Sequence, residues 1–70
     1  MEASSVKAPL TPREIECMRW VLQGKSDGEI AKEMEIAAST VHFHVERVKK
    51  KLAVKTRTQA ASTLVVLGYI

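Results

Sequence analysis

Cysteine occurs once in this sequence, at Cys17, so no internal disulfide can form and no cysteine-based zinc site can be built. Long apolar runs are missing as well. The longest, Leu64-Val65-Val66-Leu67, falls far short of the ~20 residues that cross a bilayer. No charged-then-apolar leader stands at the N-terminus. Glycine and proline number only three and two, and Gly24, Gly28 and Gly68 sit beside other boundary signals, a composition that points to helices. With 70 residues a second domain is excluded. A chain this short buries roughly 60% of its unfolded surface, and its core supplies about 3–5 kcal/mol. Neither a large ligand cavity nor a multi-layer enzyme site fits, and no cofactor is expected. What is left is a small, reduced, soluble, intracellular domain.

Charge is present but unevenly placed. Residues 1–35 carry five Lys/Arg against seven Asp/Glu, net −2, and residues 36–70 carry six against one, net +5. All six of the latter cations lie between Arg47 and Arg57. A pI of about 9.3 with clustered cations is the electrostatic footprint of a nucleic-acid binder. A solvated, lysine-rich helix face would look the same.

Helix starts are announced three times by one device, the capping box, in which a Ser/Thr hydroxyl accepts from the backbone three residues on while a Glu/Gln there reaches back. Thr11-Pro12-Arg13-Glu14, Ser26-Asp27-Gly28-Glu29 and Thr56-Arg57-Thr58-Gln59 all carry it. The first adds proline at the first helical position, where its missing N–H costs nothing. Residues 1–9 are small, polar and aperiodic, and read as a tail or linker stub. The first helix is expected from Pro12 to Gln23, burying Cys17/Met18 and Val21/Leu22, and the second from Asp27 to Met34, burying Ile30, Ala31 and Met34. A turn at Glu35-Ile36-Ala37 leads to a third helix, Ala38 to Leu52, whose stripe Val41, Val45, Val48 and Leu52 faces the core. The fourth runs from Arg57 to about Leu67, with Gly68 as a left-handed cap. These elements predict an all-α, compact four-helix domain. Helix, short turn and basic helix, over about residues 27–46, outline a helix-turn-helix reader.

Candidate functional residues follow from the geometry of the third helix. At ~100° per residue, Ser39, Phe43 and Lys50 point away from Val41, with Glu46 about 40° off that direction. His42 and Lys49 occupy one flank; Thr40 and Arg47 occupy the other. Phe43, the only phenylalanine, sits where a solitary domain would carry a charge. There it can pack on a thymine methyl or a deoxyribose. The plainer account, that it covers a neighbouring element or is one of the scattered apolar residues of any surface, stays open. His42 can bond a base edge, and Glu46 can either accept from a cytosine amine or pair with a cation such as Lys50 four residues on. Ser39, Arg47, Lys49 and Lys50 suit phosphates. Thr40, near the partial positive charge of the helix N-terminus, adds a hydroxyl. Ser26 can do likewise, although its capping role explains it fully. Lys51 projects beside the core and is expected to snorkel.

Catalytic and metal readings fail. His42 and His44 diverge by ~200° on a helix and cannot share a metal. His44 flanks the core, where a buried hydrogen bond is the expected role. Cys17 reads as a small hydrophobe, and no phosphate loop, paired carboxylates or nucleophile–base set is visible. The fourth helix instead has an excess of apolar residues: Ala60, Leu64 and Leu67 form one stripe, and Ala61, Val65 and Val66 lie outside it. The surplus, Ala61, Val65 and Val66, is assigned to a second copy in an isologous pair. Burial on two sides within one domain is the alternative.

Taken together, Leu10-Thr11-Pro12-Arg13-Glu14, Gly24-Lys25-Ser26, Glu29-Ile30-Ala31, Ser39 to His44, Lys51-Leu52, Thr56 to Ala60 and Leu67-Gly68 resemble the LuxR-type (NarL/FixJ) helix-turn-helix domain of bacterial transcription regulators. The resemblance covers about residues 10–70. Arg19-Trp20 and the Thr40 to His44 run look most like the quorum-sensing branch. It implies sequence-specific double-stranded DNA binding with the third helix in the major groove, as a homodimer on an inverted repeat. It places His42, Phe43 and Glu46 at base-reading positions, Thr40 at a phosphate contact and dimerisation on the fourth helix. Location in the bacterial cytoplasm, associated with the nucleoid, follows, with any sensor domain outside this chain. The sequence departs from the family at four places, one of them Glu46, which stands where relatives often carry a basic or amide-bearing residue. Ala37 stands where Ser or Thr usually caps the recognition helix, at a cost of ~1 kcal/mol. Glu35 replaces a turn glycine, and Gly28 a larger residue. A rival reading is an interaction module that pairs through the fourth helix with a full-length relative and blocks it.

Overall fold

The computed structural model describes residues 8–70 and contains four helices: α1 (Pro12–Leu22), α2 (Asp27–Met34), α3 (Ala38–Leu52) and α4 (Arg57–Leu67). Residues 1–7 of the expected tail lie outside the described residues. All three capping boxes are formed. At α1, the Glu14 N–H donates to Thr11 Oγ1 at 3.1 Å while the Thr11 N–H donates to Glu14 Oε1 at 2.9 Å. Ser26 and Glu29 repeat the exchange at α2, as Thr56 and Gln59 do at α4. Each box satisfies two backbone donors that a bare helix end would leave unpaired.

Helix ends are set by left-handed residues. Gly68 closes α4 at φ 86°, as expected, and the Tyr69 N–H returns to the Leu64 carbonyl at 2.8 Å. The first helix ends at Leu22 rather than at Gln23; Gln23 is its C-cap, and Gly24 at φ 85° turns the chain away. Glu35 and Ala53 adopt the same region at φ 57°, without being glycine. Each carries the Cβ clash that makes this region costly, by roughly 1 kcal/mol or more. Ala37 offers α3 no side-chain cap.

The core is built on α3. Val41, Val45 and Val48 are fully buried and Leu52 nearly so, and they meet Cys17, Met18, Ile30, Met34, Ala60, Ala61 and Leu64. The Cys17 thiol lies 3.5 Å from the Met34 sulfur, and burial pushes its pKa up to about 11, so it packs rather than reacts. Helix α3 packs against each of the other three, and α1 also meets α2 and α4. Among the described residues α2 and α4 do not pack on each other. Asp27 and Arg57, the first residues of those two helices, are instead joined by a two-pronged ion pair at 2.6 and 3.3 Å.

Four expected core positions are corrected. Leu22 is half exposed, because at ~100° per residue it points about 90° from the mean direction of Cys17 and Met18. Val21 and Ala31 are only partly buried against the core. Leu67, in the last turn of α4, is exposed. The buried arc of α4 is Ala60, Ala61 and Leu64, pressed by α1 on one side and α3 on the other.

Candidate nucleic-acid interface

Because α3 spends its valine stripe on the core, its opposite side is fixed in solvent. Ser39, His42, Phe43, Arg47 and Lys50 are exposed there, with Thr40, Glu46 and Lys49 partly so. The Phe43 side chain is 55% exposed, and no neighbouring helix covers it. This excludes a covering role for Phe43 among the described residues. The Arg47 guanidinium lies over the ring, 5.4 Å from its centroid, and the His44 ring stands 6.1 Å away, tilted by 55°. The stretch of α3 from Ser39 to Lys50 thus presents an aromatic side chain in contact with a cation and an imidazole.

Glu46 is paired, but with Lys49 three residues on at 2.8 Å rather than with Lys50. The hydrogen bond from Lys49 holds the Glu46 carboxyl below the usual carboxylate range. Lys49 is the more buried partner, whereas Lys50 is exposed. Lys50 takes part in no ion pair among the described residues. Ser26 keeps its capping bond from the Glu29 N–H and remains exposed. At the start of α3 no side chain caps the first N–H groups of exposed Ala38 and Ser39, which leaves the positive end of the helix open.

His44 departs from expectation. Its Nδ1 is buried and has no hydrogen-bond partner among the described residues. The ring is held by packing beside Phe43, and the polar contact expected to lock α3 is absent. The dimer-face assignment also changes. Ala61 is 5% exposed and belongs to the core, because α4 is packed from two sides. The apolar surface that α4 leaves open is Val65, Val66 and Leu67, with Val66 84% exposed.

The strongest electrostatic feature was read from the sequence only as a helix cap. Glu14 is 1% exposed, yet three donors converge on it. Lys51 Nζ reaches Oε1 at 2.7 Å, Arg47 Nε reaches Oε2 at 3.1 Å, and the Thr11 N–H completes the set. Burial alone would raise the Glu14 pKa, but hydrogen bonds from Lys51, the Thr11 N–H and Arg47 outweigh it and hold the carboxyl below its usual range. Lys51 also donates to the Pro9 carbonyl at 2.8 Å, tying the incoming chain to the C-terminal half of α3. One signal for this cluster was available: Arg47 and Lys51 stand four residues apart, beside an apolar stripe, where cations need a buried acid. The partner, more than thirty residues earlier, was not readable.

Residues 8–64 match the family model described as bacterial regulatory proteins, luxR family. The chain belongs to that family. It is 46% identical over 69 residues to the HTH-type quorum sensing-dependent transcriptional regulator VjbR of Brucella abortus, covering 99% of this chain and 27% of that protein. It is 43% identical over 61 residues to the HTH-type quorum-sensing regulator RhlR of Pseudomonas aeruginosa, covering 87% of this chain and 25% of the relative. Among solved structures, that of the transcription factor GerE superposes with a TM-score of 0.83 at 31% identity, covering 96% of this chain and 94% of that one. The chain therefore spans about a quarter of the length of the curated relatives it matches. The expected all-α helix-turn-helix architecture is that of the luxR family. DNA binding in transcription regulation is the function class of this luxR-family domain.

Proposed function

We propose that this luxR-family domain binds double-stranded DNA sequence-specifically, with α3 in the major groove, and that it serves a quorum-sensing type of bacterial transcription regulator in the cytoplasm, at the nucleoid. The observation that carries the reading is Phe43: an exposed aromatic side chain on a helix face that also carries Arg47 and Lys50. His42, Phe43 and Glu46 are assigned to base edges, with Phe43 contributing apolar contact and Glu46 accepting from a base amine once it leaves Lys49. Ser26, Ser39, Thr40, Arg47, Lys49 and Lys50 are assigned to the phosphate backbone, where they set register. Residues 10–70 form the binding unit. Two copies meet through Val65 and Val66 and read half-sites about one helical turn, ~10 bp, apart. The role is binding without catalysis.

Selection of bound duplexes from a random pool tests this. The expected result is a palindromic consensus, lost when Phe43 and Lys50 are both replaced by alanine. A pool that shows no enrichment overturns DNA reading. If the double variant still inhibits a full-length relative, the domain works as a pairing module through α4.

A further inference from the structure

We infer that Glu14 is a positioning residue for base recognition: its buried carboxylate anchors Arg47, and Arg47 in turn clamps the Phe43 ring in its exposed position. This rests on the proposed reading of Phe43 as a base contact. Glu14 is a fixed point. Its oxygens are held by the capping bond from Thr11 at 2.9 Å and by Lys51 at 2.7 Å, and it is 1% exposed. Arg47 leaves that point through Nε at 3.1 Å, and its guanidinium carbon ends 5.4 Å from the Phe43 ring centroid. An arginine four residues along a helix from an aromatic residue, left to itself, samples several rotamers. A guanidinium held at Nε by a buried carboxylate loses that freedom, because its planar fork orients as a unit.

The ring also meets His44, at 6.1 Å. Phe43 therefore contacts two groups that both trace back to the packed part of the domain, Arg47 through Glu14 and His44 through its buried Nδ1. An aromatic contact ordered before binding loses less side-chain entropy on the DNA. Glu14 is too deeply buried to touch a base or a phosphate. Its influence on sequence choice has to travel through Arg47. The carboxylate thus does two things with its two oxygens: Oε1 secures the fold, and Oε2 serves the reading face.

The test compares affinities of the whole chain for a duplex selected by the parent sequence and for a scrambled duplex, below the melting temperature of every variant. Phe43→Leu should lower the ratio of the two affinities. Glu14→Gln and Arg47→Lys should each lower it about two- to fivefold, the worth of a cation–π contact at an exposed site. Arg47→Lys keeps its charge, and any change in its phosphate contact falls on both duplexes alike, so the ratio isolates the effect on base reading. Placed on the Phe43→Leu background, Glu14→Gln should cause no further loss.

If Phe43→Leu leaves the ratio unchanged, the reading of Phe43 itself fails. If Phe43→Leu acts but Glu14→Gln lowers the ratio equally with and without it, Glu14 is merely structural and the inference is wrong. Should Glu14→Gln fail to fold, Arg47→Lys decides alone, and an unchanged ratio in that variant overturns the inference.

Discussion

Removing the charge of Glu14 should strongly destabilise this domain, because the carboxylate is buried among cations. The carboxylate is 1% exposed and its partner Lys51 10% exposed, at 2.7 Å. Breaking a buried pair by deleting one member typically costs about 3–5 kcal/mol, because the other charge is stranded. The whole domain has only ~3–5 kcal/mol to lose at this length. Glu14→Ala, which also removes the cap acceptor for the Thr11 N–H, is therefore expected to unfold the chain. Glu14→Gln keeps an acceptor for that N–H and loses the charge-assisted part of the bonds from Lys51 and Arg47, about 2 kcal/mol in all. For a domain of this size that lowers Tm by roughly 8–16 °C.

Far-ultraviolet circular dichroism melts at neutral pH measure this directly. Adding Lys51→Met to Glu14→Gln removes the stranded ammonium and should return part of the loss. A coupling of at least ~0.5 kcal/mol is expected between the two sites. If Glu14→Gln melts within a few degrees of the parent, or if Lys51→Met adds its full independent cost, the buried cluster is not what holds α1 to α3.

Acid should weaken the fold through the same groups. Burial raises and the bonds from Lys51, the Thr11 N–H and Arg47 lower the Glu14 carboxyl, with the lowering dominant, and the Arg57 hydrogen bond lowers Asp27. Carboxyls lowered in the folded state contribute stability above the unfolded range, about pH 4, and lose it progressively as pH falls through their folded values. Melts at stepped pH should show that fall, and Glu14→Gln should show a shallower one. Ala53→Gly relieves a residue at φ 57° and should raise stability by about 0.5–1 kcal/mol, seen as a higher Tm; a lower Tm refutes the strain. Gly28→Ala adds a Cβ whose nearest neighbour is Ser26 Oγ at 4.0 Å, and calorimetry should find a gain of about 0.5–1 kcal/mol. Val66→Asp, at a residue 84% exposed, should leave Tm unchanged while weakening binding to a palindromic duplex but not to a half-site; equal affinity for both by parent and variant excludes dimerisation through Val66.

How much of this was legible depends on how far apart the partners stand in sequence. The three capping boxes join residues three apart, and all three form as read. Phe43 was placed in solvent correctly because Val41, Val45, Val48 and Leu52 fix the rotation of α3 without reference to any other helix. Ala61 was assigned to the wrong surface for the converse reason. Helix α4 is apolar over much of its circumference, so its buried arc is chosen by where α1 and α3 press on it, which periodicity does not encode. Glu14 looked complete as a cap, since one oxygen of a capping glutamate is enough for that role. Its second oxygen, and the reach of Arg47 and Lys51 across the α1–α3 contact, exist only once those helices are packed.

The internal pairing of cations also revises what the basic half can do to DNA. Six Lys/Arg between Arg47 and Arg57 would give a salt slope of about −5.4 per bound domain if each displaced a counterion, at about −0.9 per phosphate. Lys51 is committed to Glu14, and Arg57 is held by Asp27 at 2.6 Å. Lys55 lies outside α3, in the connection to α4. That leaves Arg47, Lys49 and Lys50 on the reading face, and a slope nearer −2.7 per domain. The Arg47 side chain is still 48% exposed despite its bond to Glu14, which suits the proposed phosphate contact, whereas the proposed contact of Lys49 requires it to leave Glu46. On the proposed reading, affinity is then less a matter of bulk charge than the composition suggests, and more of the discrimination falls to His42, Phe43 and Glu46. Titration of duplex DNA from low to physiological salt separates the two accounts. A slope near −2.7 per domain supports the three-cation face. One steeper than about −4.5, which needs five or more displaced counterions, would mean that the pairs on Lys51 or Arg57 open on binding.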